Sequence, residues 1–134
     1  MEDITSAVSI RTAVENLWNG WTSTKYTFEN ERFDTPSEEA WCRVSIREGT
    51  GDFLTIGPSS IDRHTGLVYI QVFVPVFEGD TRGRILADLA AGRFRKKKSS
   101  NVTFKVPYFD VVGIKDGWWC INVICPYFLD EVTQ

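Results

Sequence analysis

The chain has 134 residues, of which 43% are hydrophobic and 25% charged; this globular balance excludes wholesale disorder. The formal net charge of −3 at pH 7 excludes binding to nucleic acid through bulk charge. No stretch approaches the roughly 20 apolar residues that cross a bilayer, so we expect a single domain over residues 1–134 and no membrane partner.

The N-terminal third predicts one helix and a connector. Apolar residues recur every three or four positions from Ala7 to Trp21, which predicts an amphipathic helix over about residues 4–19. The connector over residues 26–40 is rich in glutamate and is interrupted by Pro36. Within it, residues 26–28 can form a short strand.

The middle of the chain predicts strands around a loop. Residues 41–48 alternate apolar and polar side chains, which predicts a strand with one solvent-exposed face. A second run, residues 53–57, breaks at Pro58, and the stretch to Gly66 is polar and turn-rich. We therefore predict a mobile contact loop over residues 49–63, with its contact residues at Thr50, Asp52, Ser59, Ser60, Asp62 and Arg63.

The strand predicted over residues 67–77 is apolar on both faces. One face is a run of β-branched residues, and the other carries Leu67, Tyr69, Gln71 and Phe73. Helices on one side cannot cover both faces, so we predict that the second face meets another subunit. Trp118 of the last strand is assigned to the same subunit interface.

The C-terminal half predicts a helix and two further strands. The helix runs over about residues 81–95 with Asp80 at its N-cap, and its expected buried stripe is Ile85, Leu86, Leu89, Ala90 and Phe94. A strand over 102–106 is cut by Pro107 and resumes at 109–112. A tight turn over 115–117 then leads into a last strand over 118–128.

This element order predicts an α+β fold. We expect an antiparallel sheet of four to five strands with two helices packed on one face. An odd number of cysteines in no framework indicates buried thiols in a reducing compartment.

No constellation of residues predicts chemistry. His64 is the sole histidine and is expected in a surface loop, and Cys120 and Cys125 are spaced to opposite faces of a strand. We therefore predict no catalytic residue, no metal site and no cofactor. A small α+β enzyme or ligand-binding module is kept as the least favoured reading.

Three segments together resemble a known family. Residues 40–47 (AWCRVSIR), 63–75 (RHTGLVYIQVFVP) and 117–128, with GWWCINV and PYF, are similar to three strands of the tail terminator (tail completion) proteins of long-tailed bacteriophages. The resemblance spans about residues 5–130. It implies a non-enzymatic ring, typically a hexamer, that caps the tail tube, stops its polymerisation and offers a surface to the head.

The resemblance also implies partners and a location. The partners are other copies of the chain, the tail tube protein, and a head completion or connector protein. That the tube meets the contact loop over residues 49–63 is a hypothesis from the glycines, Pro58 and polar residues of that stretch. The location is the head-proximal end of the virion tail, after assembly in the host cytoplasm. A head–tail joining protein or another neck component is the alternative.

The basic run Arg93, Arg95, Lys96, Lys97 and Lys98 has three readings. It can be a solvated helix C-terminus, where cations are favourable. It can contact the acidic connector of a neighbouring subunit, the partner we favour. It can also contact DNA passing transiently through the channel of the ring.

Overall fold

The computed structural model describes residues 6–53 and 60–133. Two helices and seven strands follow one another along the chain, and the class is α+β as predicted. In chain order the elements are α1 (Ser6–Trp18), β1 (Lys25–Phe28), β2 (Trp41–Phe53), β3 (Ser60–Pro75), α2 (Thr81–Phe94), β4 (Lys98–Ser99), β5 (Val102–Phe104), β6 (Tyr108–Lys115) and β7 (Trp118–Thr133).

All seven strands belong to one mixed sheet. Its order is β1-β2-β3-β7-β5-β4, and β6 pairs with β7 beside that path. β1 runs parallel to β2, whereas the other pairs are antiparallel. The prediction of four to five antiparallel strands was therefore wrong. The short strand predicted over residues 26–28 is confirmed as β1. β4 lies at the end of the basic run, where no strand was predicted, and Pro107 divides β5 from β6 rather than interrupting one strand.

The main core lies between the sheet and both helices. Val68, Ile70, Val72 and Val74 of β3 are fully buried, as the unbroken β-branched face predicted. Both helices contribute to the same buried cluster, with Trp18 of α1 stacked against the ring of Phe94 on α2 at 6.1 Å between centroids. This face of the sheet is therefore covered by the chain itself.

Helix α2 packs through small residues, which corrects the predicted stripe. Ile85 and Leu89 are 54% and 50% exposed, so placing them in the core was wrong. The residues that face the sheet are Gly83, Leu86, Ala87, Ala90, Ala91 and Phe94. A Cβ on Gly83 would lie 2.7 Å from Cζ3 of Trp119. This close approach puts Gly83, Ala87 and Ala90 at the centre of the buried side of α2, and Ile85 and Leu89 lie on the opposite side of the helix. Asp80 stands at the N-cap, but its carboxylate accepts from Arg84 at 2.8 Å instead of capping the helix.

Strands β3 and β7 form the longest ladder, from Ser60–Thr133 to Pro75–Trp118. The expected loop over 58–66 is wrong for residues 60–66, because they belong to β3. Gly66 is required there, since the Tyr127 hydroxyl occupies the space that its Cβ would need. Residues 54–57 of the predicted second run and Ser59 lie outside the described residues.

Candidate interaction surfaces

The second face of the sheet, opposite the helices, begins with an aromatic cluster. Trp41 of β2 and Phe73 of β3 are register partners, and their rings stack at 4.2 Å between centroids. Trp118 meets Trp41 edge-on at 6.0 Å, and Phe33 of the connector packs on Trp41 at 5.3 Å. Phe73 is only 5% exposed as a result. The chain's own connector therefore covers this end of the face.

Beside the cluster, the second face is open. A polar row crosses four strands, from β2 to β6, and consists of Arg43, Gln71, Asn122 and Asp110. In the next row Tyr69 is half-buried, with the Arg47 guanidinium 5.1 Å from its ring centroid. The structure thus places the predicted interface residues Leu67, Tyr69, Gln71, Phe73 and Trp118 on one face, as expected. Their role in an interface stays a prediction, and Phe73 is packed inside its own subunit.

The predicted contact loop is a β-hairpin along the described part of its length. Asp52 is the register partner of Arg63, and Arg63 in turn is that of Asp130 on β7. The Arg63 guanidinium donates two hydrogen bonds to the Asp130 carboxylate, at 2.8 and 2.9 Å, and lies 4.3 Å from the ring centroid of Phe128. The guanidinium also lowers the pKa of Asp130 through those hydrogen bonds. The described part of the predicted loop is therefore a paired and anchored surface, and the expectation of few partners in its own subunit is wrong for residues 49–53 and 60–63; residues 54–59 lie outside the described residues.

The basic run divides into two parts. Arg93 is half-buried in the last turn of α2, donates to the Asn19 carbonyl at 3.2 Å and lies 5.9 Å from the ring centroid of Trp21. It therefore ties α2 to the end of α1. The four cations that follow, Arg95 to Lys98, are exposed, and within residues 6–53 and 60–133 they take part in no ion pair.

A tight turn displays these four cations. Lys98-Ser99 pairs with Val102-Thr103, and the two residues between them, Ser100 and Asn101, have φ of 48° and 69°. Positive φ at both central positions is the geometry of a two-residue hairpin turn. The Lys105 carbonyl accepts from the Lys96 amide at 3.3 Å, which brings a fifth cation to this basic hairpin, residues 95–105. Sequence reasoning found the charges but missed the hairpin.

The acidic connector is largely occupied within its own subunit. The Glu29 carboxylate accepts from the Ile46 amide at 2.6 Å, Glu31 pairs with Arg11 at 3.4 Å, and Glu39 pairs with Lys25 at 2.8 Å. Among the described residues, Asp34 and Glu38 are exposed and take part in no ion pair. Two acids thus remain for a neighbour's cations, fewer than the sequence indicates.

Strand β6 is a surface that sequence reasoning did not single out. Its residues are exposed except for Gly113, which is half-buried. More than half of the exposed large apolar side chains in the described parts of the chain lie between positions 106 and 114: Val106, Tyr108, Phe109, Val111, Val112 and Ile114. The sequence signal is apolar residues at successive positions, but the same signal occurs in buried strands such as β7.

Among the residues that the structure describes, the titratable groups are not gathered at one place. Burial raises the pKa of Cys42 and Cys125 to about 12 and that of Cys120 to about 11, so the thiols stay protonated near neutral pH. His64 lies in β3 rather than in a loop, with Nε2 3.9 Å from Oε1 of Glu131. In the described ranges no three His, Cys, Asp or Glu side chains are grouped to hold a metal. No helix there is long and apolar enough to span a membrane.

One cleft of about 450 Å³ lies between α1 and β1. Its charged side chains are Arg11, Glu15 and Glu31, and Arg11 forms ion pairs with both acids. One cation bridging two acids at the surface is the arrangement of a structural ion-pair network, and it places no nucleophile beside a base.

The fold is that of a small α+β protein whose open sheet face and edge strand β6 carry exposed side chains. A family model described as phage tail terminator protein matches residues 9–127. The chain therefore belongs to the phage tail terminator family, a family of structural proteins, and is a component of the virion tail. A solved structure with 13% sequence identity matches with a TM-score of 0.70, over 98% of this chain and 100% of that one. At that identity the likeness shows the fold alone. No match was found among the curated proteins.

Proposed function

We propose that copies of this chain form a ring, of the hexameric type, that caps the tail tube, stops its polymerisation and presents the head-joining surface. The family match over residues 9–127 carries the proposal. The ring would sit at the head-proximal end of the tail after assembly in the host cytoplasm. Its partners would be the tail tube protein and a head completion or connector protein.

Complementation tests this function. A phage that lacks its terminator gene is grown with this chain supplied from a plasmid, and tail lengths are measured by electron microscopy. We expect tails of uniform length and infectious particles. Overlong tails despite soluble protein would refute the proposal. Deletion of the chain's own gene separates the alternative: overlong tails in its absence indicate a terminator, whereas tails of normal length beside heads that leak DNA indicate a head–tail joining protein.

We propose that neighbouring subunits meet on the open part of the second face, at Leu67, Tyr69 and Gln71. Tyr69→Asp is the appropriate probe, because Tyr69 is half-buried whereas Phe73 is enclosed in the aromatic cluster. Tyr69→Asp should weaken capping with little change in the unfolding midpoint. Ile85→Asp, at an exposed apolar residue of α2 on the other side of the sheet, is the control for an added surface charge. Equal loss in both variants would show a general effect of charge and would count against the second face as the interface.

The projection formed by β2, β3 and β7 beyond Glu48 is our candidate for the tail tube contact. Arg63→Ala removes its paired contact with Asp130, so the hairpin would lose alignment and capping would weaken. Arg63→Lys keeps the charge but not the two parallel hydrogen bonds, so its capping should lie between that of wild type and that of Arg63→Ala. Capping unaffected by Arg63→Ala would remove this surface from the proposal.

The basic hairpin would bind either the neighbour's acids or DNA in the channel. Lys96, Lys97 and Lys98 changed together to Glu should weaken ring formation if the partner is the neighbour, and Asp34→Lys with Glu38→Lys should then restore part of it. These two acids are the appropriate partners, since Glu29, Glu31 and Glu39 have contacts in their own subunit. Normal rings with altered DNA delivery would instead favour the channel.

A further inference from the structure

Strand β6 leaves apolar side chains uncovered on both faces of the sheet. Phe109, Val111 and Ile114 are register partners of β7 residues on the helix side, so they extend that face past the helices. Tyr108 is the partner of Ile124 and lies on the second face, beside Tyr69 across β7. Ile114 is 64% exposed and Tyr108 51%. A strand at the edge of the sheet thus has two apolar sides.

The backbone of β6 is also unpaired on one side. β7 lies along one edge, and no strand of the described chain pairs with the other. Backbone groups of a strand alternate between its two edges, so about half of those of β6 point away from the sheet. The strand has no proline, and its lysine stands at its end, at Lys115. One bulge between Val111 and Gly113 is the sole interruption of its described pairing with β7.

We infer that the outer edge of β6 binds a second copy of this chain, so that the sheet and its helix layer continue from one subunit to the next. A single added strand would satisfy the backbone but leave both faces open, and a lipid surface would cover one face. A second copy supplies both a pairing strand and a helix layer, which extends over the helix side of β6 where Phe109, Val111 and Ile114 lie, while Tyr108 joins the second face of the continued sheet. The strand carries one acid and one cation, Asp110 and Lys115, so it has no cluster of positive charge that could bind a polyanion such as DNA.

The area fits a subunit contact. The exposed apolar side chains between positions 106 and 114 present on the order of 600 Å², against the roughly 800 Å² that each partner contributes to a standard interface. Ile85 and Leu89 on α2, exposed to a similar degree, present only about 200 Å², the scale of scattered surface residues that need no partner. The inference rests on the proposed ring and names the strand through which one subunit would hold the next.

Two matched double variants of the full-length chain test it. Val111→Lys with Ile114→Lys charges β6, while Ile85→Lys with Leu89→Lys charges an equally exposed pair on α2. Self-association is measured by sedimentation equilibrium over a range of concentrations. We expect the β6 variant to associate about 10- to 100-fold more weakly than wild type, and the α2 variant within a factor of about three.

Hydrogen exchange on the wild-type chain supplies a test that needs no variant. Amides of residues 108–115 should exchange more slowly as association proceeds, because edge pairing protects them. The inference is overturned if wild type does not associate up to its solubility limit, if both variants lose association equally, or if the β6 amides stay unprotected in the oligomer.

The outcomes separate this inference from the proposed function. If wild type and the β6 variant restore tail length equally well, β6 is not the contact and the capping function stands. If wild type does not restore tail length, the capping function fails, and sedimentation with hydrogen exchange still decides whether β6 binds a second copy.

Discussion

Strands β3 and β6 are both apolar on two faces, but their neighbours differ. β3 lies in the middle of the sheet between β2 and β7, with the helices on one face and the aromatic cluster over part of the other. β6 has β7 on one edge, and the described chain covers neither of its faces. The difference shows that apolar residues on both faces of a strand indicate that both faces become buried. The position of the strand in the sheet decides whether the chain itself or a partner buries them.

The largest expected effect separates the two strands by stability. Phe73→Ala in β3 removes a ring that is 5% exposed and stacked on Trp41, so it should lower the free energy of unfolding by about 3–4 kcal/mol. Tyr108→Ala in β6 removes a ring that is 51% exposed and should cost under about 1 kcal/mol. Urea unfolding of both variants at monomer concentrations checks this. Similar losses of unfolding free energy in the two variants would show that β6 is as well packed as β3, which would contradict the difference between the two strands.

The same contrast explains what the sequence could predict. The buried face of β3, the turn at 115–117 and the α+β class follow from local patterns and were confirmed. The cover over the aromatic cluster could not be predicted, because part of it comes from Phe33, which packs on Trp41 from a segment rich in charge. The exposure of Ile85 and Leu89 follows from which side of α2 packs on the sheet; that side is centred on Gly83, Ala87 and Ala90, and small residues give a weak apolar signal in the sequence.

A second variant tests the cover over the aromatic cluster. Phe33→Ala should lower the free energy of unfolding by about 1–2 kcal/mol, less than Phe73→Ala because Phe33 is itself half-buried. It would also open one end of the second face and make β3 resemble β6. Thermal or urea unfolding measures the stability. Phe128→Ala removes another half-buried aromatic ring, outside the cluster, and is the control for the general cost of such a truncation.

Cys120 reports whether the cover has opened. It lies in the same cluster, and burial raises its pKa to about 11, so thiol reagents near pH 8 should label it very slowly in wild type. Phe33→Ala should speed its labelling, while Cys42 on the helix face, with a pKa of about 12, should remain unlabelled. Faster labelling of both cysteines would indicate global unfolding and would leave Phe33 without a specific covering role.

The smallest expected effect concerns Phe77, and it has the opposite sign. Phe77 follows β3, is 93% exposed and has a φ of 67°, a conformation that costs a residue with a Cβ roughly 1 kcal/mol. Phe77→Gly relieves that strain but loosens the unfolded chain, so the net gain should be at most about 0.5 kcal/mol. Phe77→Ala removes the same ring but keeps the strain and should give no gain; equal gains from both variants would locate the effect in the exposed ring instead.

Such a residue stabilises nothing in its own subunit. If Phe77→Gly folds more stably and caps tails less well, then the ring of Phe77 serves a partner as the side chains of β6 are inferred to do, and the uncovered surface of this chain extends past the edge strand to the turn between β3 and α2.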